Sequence, residues 1–330
     1  MSMMDLKNKL IVIGFVLTLL GITMTGVINN PRVSPSMMTQ TSVSRRESVE
    51  KSFFRNSIYY QHQGQRPFLL EAEFIELDYG LFIKFLKPKG KIFQKQGSKV
   101  SYKAESGFLN EKENVLFLED SVLVKSKNTR LNSERLKYSF DSMRFEATTK
   151  VKTRTYARKT GDRVFINANK FVSYFKNKEN IHLYLGNVAG KVKRKRIYED
   201  SLSFKSNKLT FFSRKNLAKL NGKVSLKYRN FEGKAQRGDI FLENYNKDLN
   251  YFVLHDDVKV REVLKMKGKK VIRKAFSEKL EGYPKNSLIV LTGYPKVLQG
   301  QDAIIGNKII LRWNNEVLEI IDANSNLKLK

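Results

Sequence analysis

Cysteine is absent from the 330 residues, which excludes a disulfide scaffold and a lipidated cysteine anchor. Acidic residues are scarce: 32 Asp and Glu stand against 62 Lys and Arg, a formal charge of +30. Such an excess points to an anionic partner, whether nucleic acid, a membrane surface or a phosphorylated lipid. Three histidines occur, His62, His182 and His255, far apart in sequence and each beside polar or alternating residues, where a solvated surface imidazole is expected. There is no metal-ligand spacing, no Gly-x-Ser-x-Gly elbow and no phosphate-cradling glycine loop. The acidic pairs in "EDS" and "HDD" would suit a glycan-cleaving enzyme, but hairpin turns are expected there and turn chemistry accounts for them. The composition argues against an enzyme, a metal and a cofactor.

One long hydrophobic run is present. "MSMMDLKNKLIVIGFVLTLLGITMTGVINNP" places Lys7 and Lys9 before an uncharged stretch, Leu10 to Val27, of about 18 residues, the length needed to cross a bilayer core. The lysines favour the cytoplasmic side, so 1–28 reads as a cytoplasmic tip and single-pass inner-membrane helix, with the bulk of the chain periplasmic. A cleaved secretory signal ending near Thr25 and Gly26 is the alternative. Outside the cytoplasm anionic lipid and glycolipid head groups abound, so nucleic acid is not the expected partner. Residues 29–59, rich in Ser, Thr, Asn and Pro, read as a flexible linker.

From about Tyr60 the chain alternates apolar and polar residues with period two. "RLKYSFD" sets Leu136, Tyr138 and Phe140 on one side, "MRFEATT" sets Met143, Phe145 and Ala147, and "NIHLYLGN" sets Ile181, Leu183 and Leu185 opposite His182 and Tyr184. Short runs of this kind between polar turns are the signature of antiparallel strands with one solvated face. A degenerate unit recurs at roughly 30 to 38 residues: "NVLFLEDSVLVKS", "NIHLYLGNVAGKV", "NLAKLNGKVSLKY", "DLNYFVLHDDVKV" and "NSLIVLTGYPKVL". Stacked units would make an elongated two-walled shell with one continuous apolar interior; a closed sandwich filled by its own side chains is the alternative.

Leu69 to Thr153 resembles the periplasmic domain of the LptC family of lipopolysaccharide export proteins. The matching features are the loop from Pro88 to Phe93, "AESGFLN" with Ala104 and Gly107, the "LxLxxxVxV" hairpin and the "LNSERLKYSFDSMRF" return. The segment "LTGYPKVLQGQDAIIGNKIILRWNNEVLEI" is similar to the OstA-like repeat of the LptA bridge family. The resemblance implies an all-β fold, an elongated open β-jellyroll of two facing antiparallel sheets, V-shaped in section, following the membrane helix. It also implies a non-enzymatic role: acyl chains of lipopolysaccharide pass through the interior from an inner-membrane ABC transporter toward the outer membrane. A typical LptC has about one such domain, so 60–155 reads as the LptC-like jellyroll and 156–330 as an OstA/LptA-like extension.

Alternation assigns the inner wall to Leu116, Leu118, Val122, Val124, Leu136, Tyr138, Phe140, Met143, Phe145, Ile181, Leu183, Leu185, Val258, Val260, Ile309, Leu311 and Trp313. A packed core and a lipid groove share this pattern. Burying a CH₂ is worth about 0.8 kcal/mol, so one twelve-carbon acyl chain amounts to roughly 10 kcal/mol, against about 1 kcal/mol or less for a screened Lys–phosphate pair. Apolar walls would hold the lipid and basic loops would orient it. Head-group candidates are Lys191, Lys193, Arg194, Lys195, Arg196, Lys267, Lys269 and Lys270, with Lys87, Lys89, Lys91 and Lys265 beside them. The last strands, Lys308 to Trp313 and Glu316 to Ile321, are expected to leave an open sheet edge for an LptA-like bridge protein or an outer-membrane translocon. The other function class is a membrane-anchored structural protein that binds anionic glycan or lipid head groups without conducting lipid.

Overall fold

The computed structural model describes residues 51–321 apart from 64–65, 79–81, 94–98, 157–160, 177–178, 196–199, 243–248, 267–268 and 314–317. The expected membrane helix and nearly all of the expected linker lie outside the described residues. Among those described, no helix is long and apolar enough to cross a membrane.

The all-β expectation holds. At the N-terminal end stand β1 (Lys51–Gln63), β2 (Arg66–Asp78), β3 (Phe82–Leu86), β4 (Lys89–Phe93), β5 (Lys99–Lys103) and β6 (Ser106–Asn110). Then come longer strands: β7 (Val115–Lys125), β8 (Thr129–Ser139), β9 (Arg144–Tyr156), β10 (Arg163–Lys176), β11 (Glu179–Lys193), β12 (Leu202–Phe212), β13 (Leu217–Tyr228), β14 (Phe231–Leu242), β15 (Leu249–Met266) and β16 (Lys269–Tyr283). The chain closes with β17 (Leu288–Thr292), β18 (Lys296–Gln299), β19 (Asp302–Ile305), β20 (Lys308–Arg312) and β21 (Leu318–Ile321). Neighbours in sequence pair antiparallel from β7 through β16. Val49–Lys330 forms one compact unit, and the β9–β10 ladder reaches Tyr156, the junction expected between the two jellyrolls.

The two expected sheets are one hydrogen-bonded sheet folded upon itself. The fold line is made by pairs of residues with positive φ at the middle of every second strand: Asp120 and Ser121, Thr149 and Lys150, Gly186 and Asn187, Gly222 and Lys223, Asp256 and Asp257, and Gly293 and Tyr294 between β17 and β18. At Asp120 and Ser121 two residues stand against one on β8, since Glu119 pairs with Arg135 and Val122 with Ser133. That two-against-one arrangement bends a strand and raises its twist. Glycine enters this left-handed region freely, which suits it to Gly186 and Gly222, both at φ +74°. Three of the intervening strands, β8, β12 and β16, answer with a buried hydroxyl. Ser133 donates to the Arg135 carbonyl at 3.1 Å, Ser206 to Lys208 at 3.0 Å and Ser277 to Lys279 at 3.1 Å. "EDS" and "HDD" therefore lie at mid-strand bends in β7 and β15 and not at hairpin turns. The repeat seen in the sequence is the recurrence of this bend.

Beyond the fold line lie two walls. Wall A comprises β3, β6, β17, β20, β21 and the halves of the long strands that include Leu118 on β7 and Leu254 on β15. Wall B comprises β4, β5, β18, β19 and the halves that include Val124 and Val260. Among the described residues the free edges are β1, which pairs with β2 alone, β19, which pairs with β18 alone, and β21, which pairs with β20 alone.

Candidate functional site

The inner faces of the walls form one connected apolar cluster. On wall A a cross-strand row runs Leu118, Leu136, Ala147, Phe171, Tyr184, Leu209, Leu220, Gly238, Leu254, Leu280, Leu291 and Ile309. Its members are buried throughout. The next row outward from the fold line behaves differently. Leu116 and Tyr138 are buried at one end, and Ile240, Phe252, Ile289 and Leu311 at the other. Between them Phe145, Ser173, His182, Phe211 and Ala218, on β9 to β13, are half-buried. On wall B, Ile166 and Val192 are half-buried on β10 and β11, whereas Leu202, Phe204 and Leu226 on β12 and β13 are buried. The interior is thus sealed at both ends and reaches solvent along its middle.

The seals are aromatic. At the N-terminal end Phe68 meets Phe140 edge-on at 5.2 Å and stacks on Tyr102 at 5.9 Å. At the C-terminal end Trp313 packs on Tyr228 at 5.3 Å and on Phe231 at 6.4 Å, and Phe231 meets Phe252 of the facing wall at 5.9 Å. The walls come close enough there that a Cβ on Gly233 would stand 2.6 Å from Leu254 Cδ1. Edge-to-face and offset pairs of this kind add to the area they bury.

Of the inner-wall residues expected from alternation, Leu116, Leu118, Val122, Leu136, Tyr138, Phe140, Val258, Val260, Ile309, Leu311 and Trp313 lie in the cluster, and Val124 and Phe145 pack against it half-buried. Four do not. Met143 sits in the turn between β8 and β9 at φ +50°, ahead of the strand. Ile181, Leu183 and Leu185 lie outside the cluster on the opposite face of β11, Ile181 buried and the other two half-buried, Leu183 being paired with Val172 and Thr210. β11 is apolar on both faces, so alternation alone could not choose its inner side. Pairing of Tyr184 with Phe171 and Leu209 decides it.

His182 is accordingly inside, contrary to the solvated reading. Its ring lies stacked between Phe171 and Phe211, and its Nδ1 is 3.0 Å from Ser173 Oγ. Desolvation holds the imidazole below its ordinary value. Burial likewise pushes the Tyr184 phenol up to about 12, with the Thr153 hydroxyl acting the other way.

A second feature escaped alternation because its residues are charged. Glu262 and Arg273, both 0 % exposed, form an ion pair at 3.3 Å in the row after Val260 and Ala275. Gln299 accepts from Arg273 Nε at 2.8 Å, and Asn230 donates to Glu262 at 3.3 Å. The signal was the parity: 258, 260, 262 and 264 share one face, as do 271, 273, 275 and 277.

The head-group candidates divide. Lys191, Lys193, Lys195 and Lys270 are exposed. Arg194 is instead drawn inward against the buried Asp162 at 2.8 Å, and the Lys195 backbone donates to the same carboxylate. Arg196 and Lys267 lie outside the described residues, and Lys269 opens β16. Lys87 and Lys89 are paired with Glu73 and Glu71 at 2.8 and 3.1 Å. Of the acids in "EDS" and "HDD", Asp256 is held below the usual carboxylate range by its hydrogen bond to Arg237.

The family profile described as "Lipopolysaccharide-assembly, LptC-related" matches residues 15–184, just over half of the chain. The chain belongs to the LptC-related family. A second profile, "LptA/(LptD N-terminal domain) LPS transport protein", matches residues 102–317, so the two overlap across β5 to β11 and the LptA-like region accounts for the C-terminal strands. Membership places the chain among the proteins of lipopolysaccharide transport. A comparison with curated protein sequences returned no match. Among solved structures, the chain is similar to LptH, the LptA-homologous periplasmic component of the lipopolysaccharide transport device of Pseudomonas aeruginosa. Identity is 13%, with 39% of this chain and 88% of that one covered, at a TM-score of 0.34.

Proposed function

We propose that this LptC-related chain is a non-enzymatic carrier that accepts lipopolysaccharide from an inner-membrane ABC transporter and passes it on with the acyl chains held between the two walls. The observation that carries the reading is the run of half-buried inner-face side chains on β9 to β13 of wall A, with Ile166 and Val192 half-buried on wall B. Acyl chains would enter there, lined by Phe145, Phe211, Ile166 and Val192, and each CH₂ transferred from water would contribute about 0.8 kcal/mol. Leu10 to Val27 would anchor the chain in the inner membrane, with the bulk in the periplasm. The β21 edge would add a strand from an LptA-like bridge protein or an outer-membrane translocon.

A second reading draws on the sealed ends: a filled interior suits a membrane-anchored structural protein that binds anionic glycan or lipid head groups without conducting lipid. Photocrosslinking separates the two. A benzophenone residue at Phe145 or Phe211 should capture lipopolysaccharide in reconstituted membranes in an ATP-dependent manner, whereas one at Leu183 or Arg312, on the outer face of wall A, should not. Equal capture from both faces, or none from the inner one, would favour the structural reading.

A further inference from the structure

The outer face of wall B sets cations against one another, and carboxylates engage only some of them: Lys259 pairs with Asp257 at 2.8 Å and Lys234 with Glu232 at 3.9 Å. Lys125, Arg130 and Arg154 stand directly opposite one another on three adjacent strands. Lys234 faces Lys259, and Arg261 faces Lys274. Like charges placed opposite each other in a sheet are destabilising, so this face is arranged for something other than stability.

At its centre is a concavity of about 380 Å³. The bed consists of small residues on three consecutive strands, Ala189, Ser203 and Ser225, and the rim of Lys191, Lys205 and Lys227. Lys191 is paired across from Ser203, Lys205 from Ala189 and Ser225, and Lys227 from Ser203, so the ammonium groups alternate on the two sides of the bed. The lining carboxylate, Glu232, stands opposite Lys227 in the ladder and lies 3.9 Å from Lys234. Among the described residues no ion pair joins any of the three rim lysines. One end of the concavity is closed by Phe165, whose ring lies beneath Arg154 at 5.5 Å and Lys193 at 5.8 Å, with Asn167 next to it.

We infer that this concavity binds a phosphorylated saccharide. Three ammonium groups suit phosphate oxygens on either side of a flat ligand, and two serine hydroxyls and an amide suit sugar hydroxyls. A bed of Ala and Ser leaves room that longer side chains would fill. The site lies on the outside of the shell, so it goes beyond acyl-chain carriage and does not depend on it. The saccharide could be the head group of a carried glycolipid folded over the rim of wall B or a free glycan phosphate, and the chemistry of recognition is the same.

The test is calorimetric titration of the full chain in detergent with a glucosamine disaccharide bearing two phosphates and no acyl chains. Binding should weaken roughly tenfold or more in Lys191→Ala/Lys205→Ala/Lys227→Ala. It should stay within about twofold in a control of equal charge, Lys99→Ala/Lys112→Ala/Lys219→Ala, where only diffuse screening changes. The thermal midpoint of the rim variant should be unchanged or higher, since repulsion is relieved. Preloading with intact glycolipid should either block the disaccharide, identifying the carried head group as the source, or leave its binding intact, identifying a free glycan. Equal binding of the unphosphorylated disaccharide, an equal loss in the control variant, or displacement by an equal concentration of inorganic phosphate would each overturn the inference. Loss of the disaccharide site with inner-face crosslinks retained would sink this proposal and leave lipid carriage standing.

Discussion

The buried Glu262–Arg273 pair can be tested by a double-mutant cycle. Both side chains are withdrawn from solvent, at 1 % and 0 % exposure, so replacing either one leaves the other charge unpaired in the interior. Breaking such a pair costs about 3–5 kcal/mol, while replacing both partners with apolar residues is often neutral. Arg273→Leu also strands the Gln299 carbonyl oxygen, and Glu262→Leu removes an acceptor from Asn230, each adding about 1 kcal/mol. For a chain of this size a loss of 1 kcal/mol lowers the melting temperature by about 2–4 °C, so each single variant, down about 4–6 kcal/mol, should lose roughly 8–24 °C. The double variant should recover most of that, giving a coupling of at least about 2 kcal/mol. Because each strand contacts chiefly its sequence neighbours, the damage should be local. Hydrogen exchange read by mass spectrometry should rise in β14 to β18 and stay unchanged in β7 to β10. Single variants that shift the midpoint by less than about 2 °C would mean that the charges reach water, and the reasoning would fail.

Three further outcomes are expected. Gly233→Leu drives a side chain into Leu254 across the two walls, and urea unfolding should show a loss of about 1–3 kcal/mol; a neutral result would mean that the walls are free to part there. For His182, the folded chain favours the neutral imidazole, so its contribution to stability is complete above the unfolded value of about 6.5 and is lost as pH falls below it. The melting temperature should therefore drop between about pH 7 and pH 5, and less so in His182→Phe; identical slopes would rule out a buried imidazole. Removal of 316–330 takes away the β21 edge, so capture of an LptA-like partner by the full chain should be lost, and retained capture would point to the β1 or β19 edge instead.

Much of this protein was legible without coordinates. Period-two alternation is a property of the strand itself, so it identified the strands and placed Leu116, Leu118, Leu136, Tyr138, Ile309 and Leu311 on one buried face. The pairs in "EDS" and "HDD" were legible as residues that tolerate a turn, but whether they reverse the chain or bend a single strand depends on the strand that lies opposite. What alternation could not supply was the choice of side where both faces are apolar, as in β11, or where an inward residue is charged, as at Glu262 and Arg273. Those choices depend on which strand lies opposite, a contact between residues distant in sequence. Tyr184 and His182 face inward because Phe171 and Phe211 meet them there, and Arg273 is tolerated inside because Glu262 arrives across the ladder to neutralise it. The chain alone determined strands and charge; the folded structure decided where the strands bend, and the packing of wall on wall decided what seals the interior and where it opens.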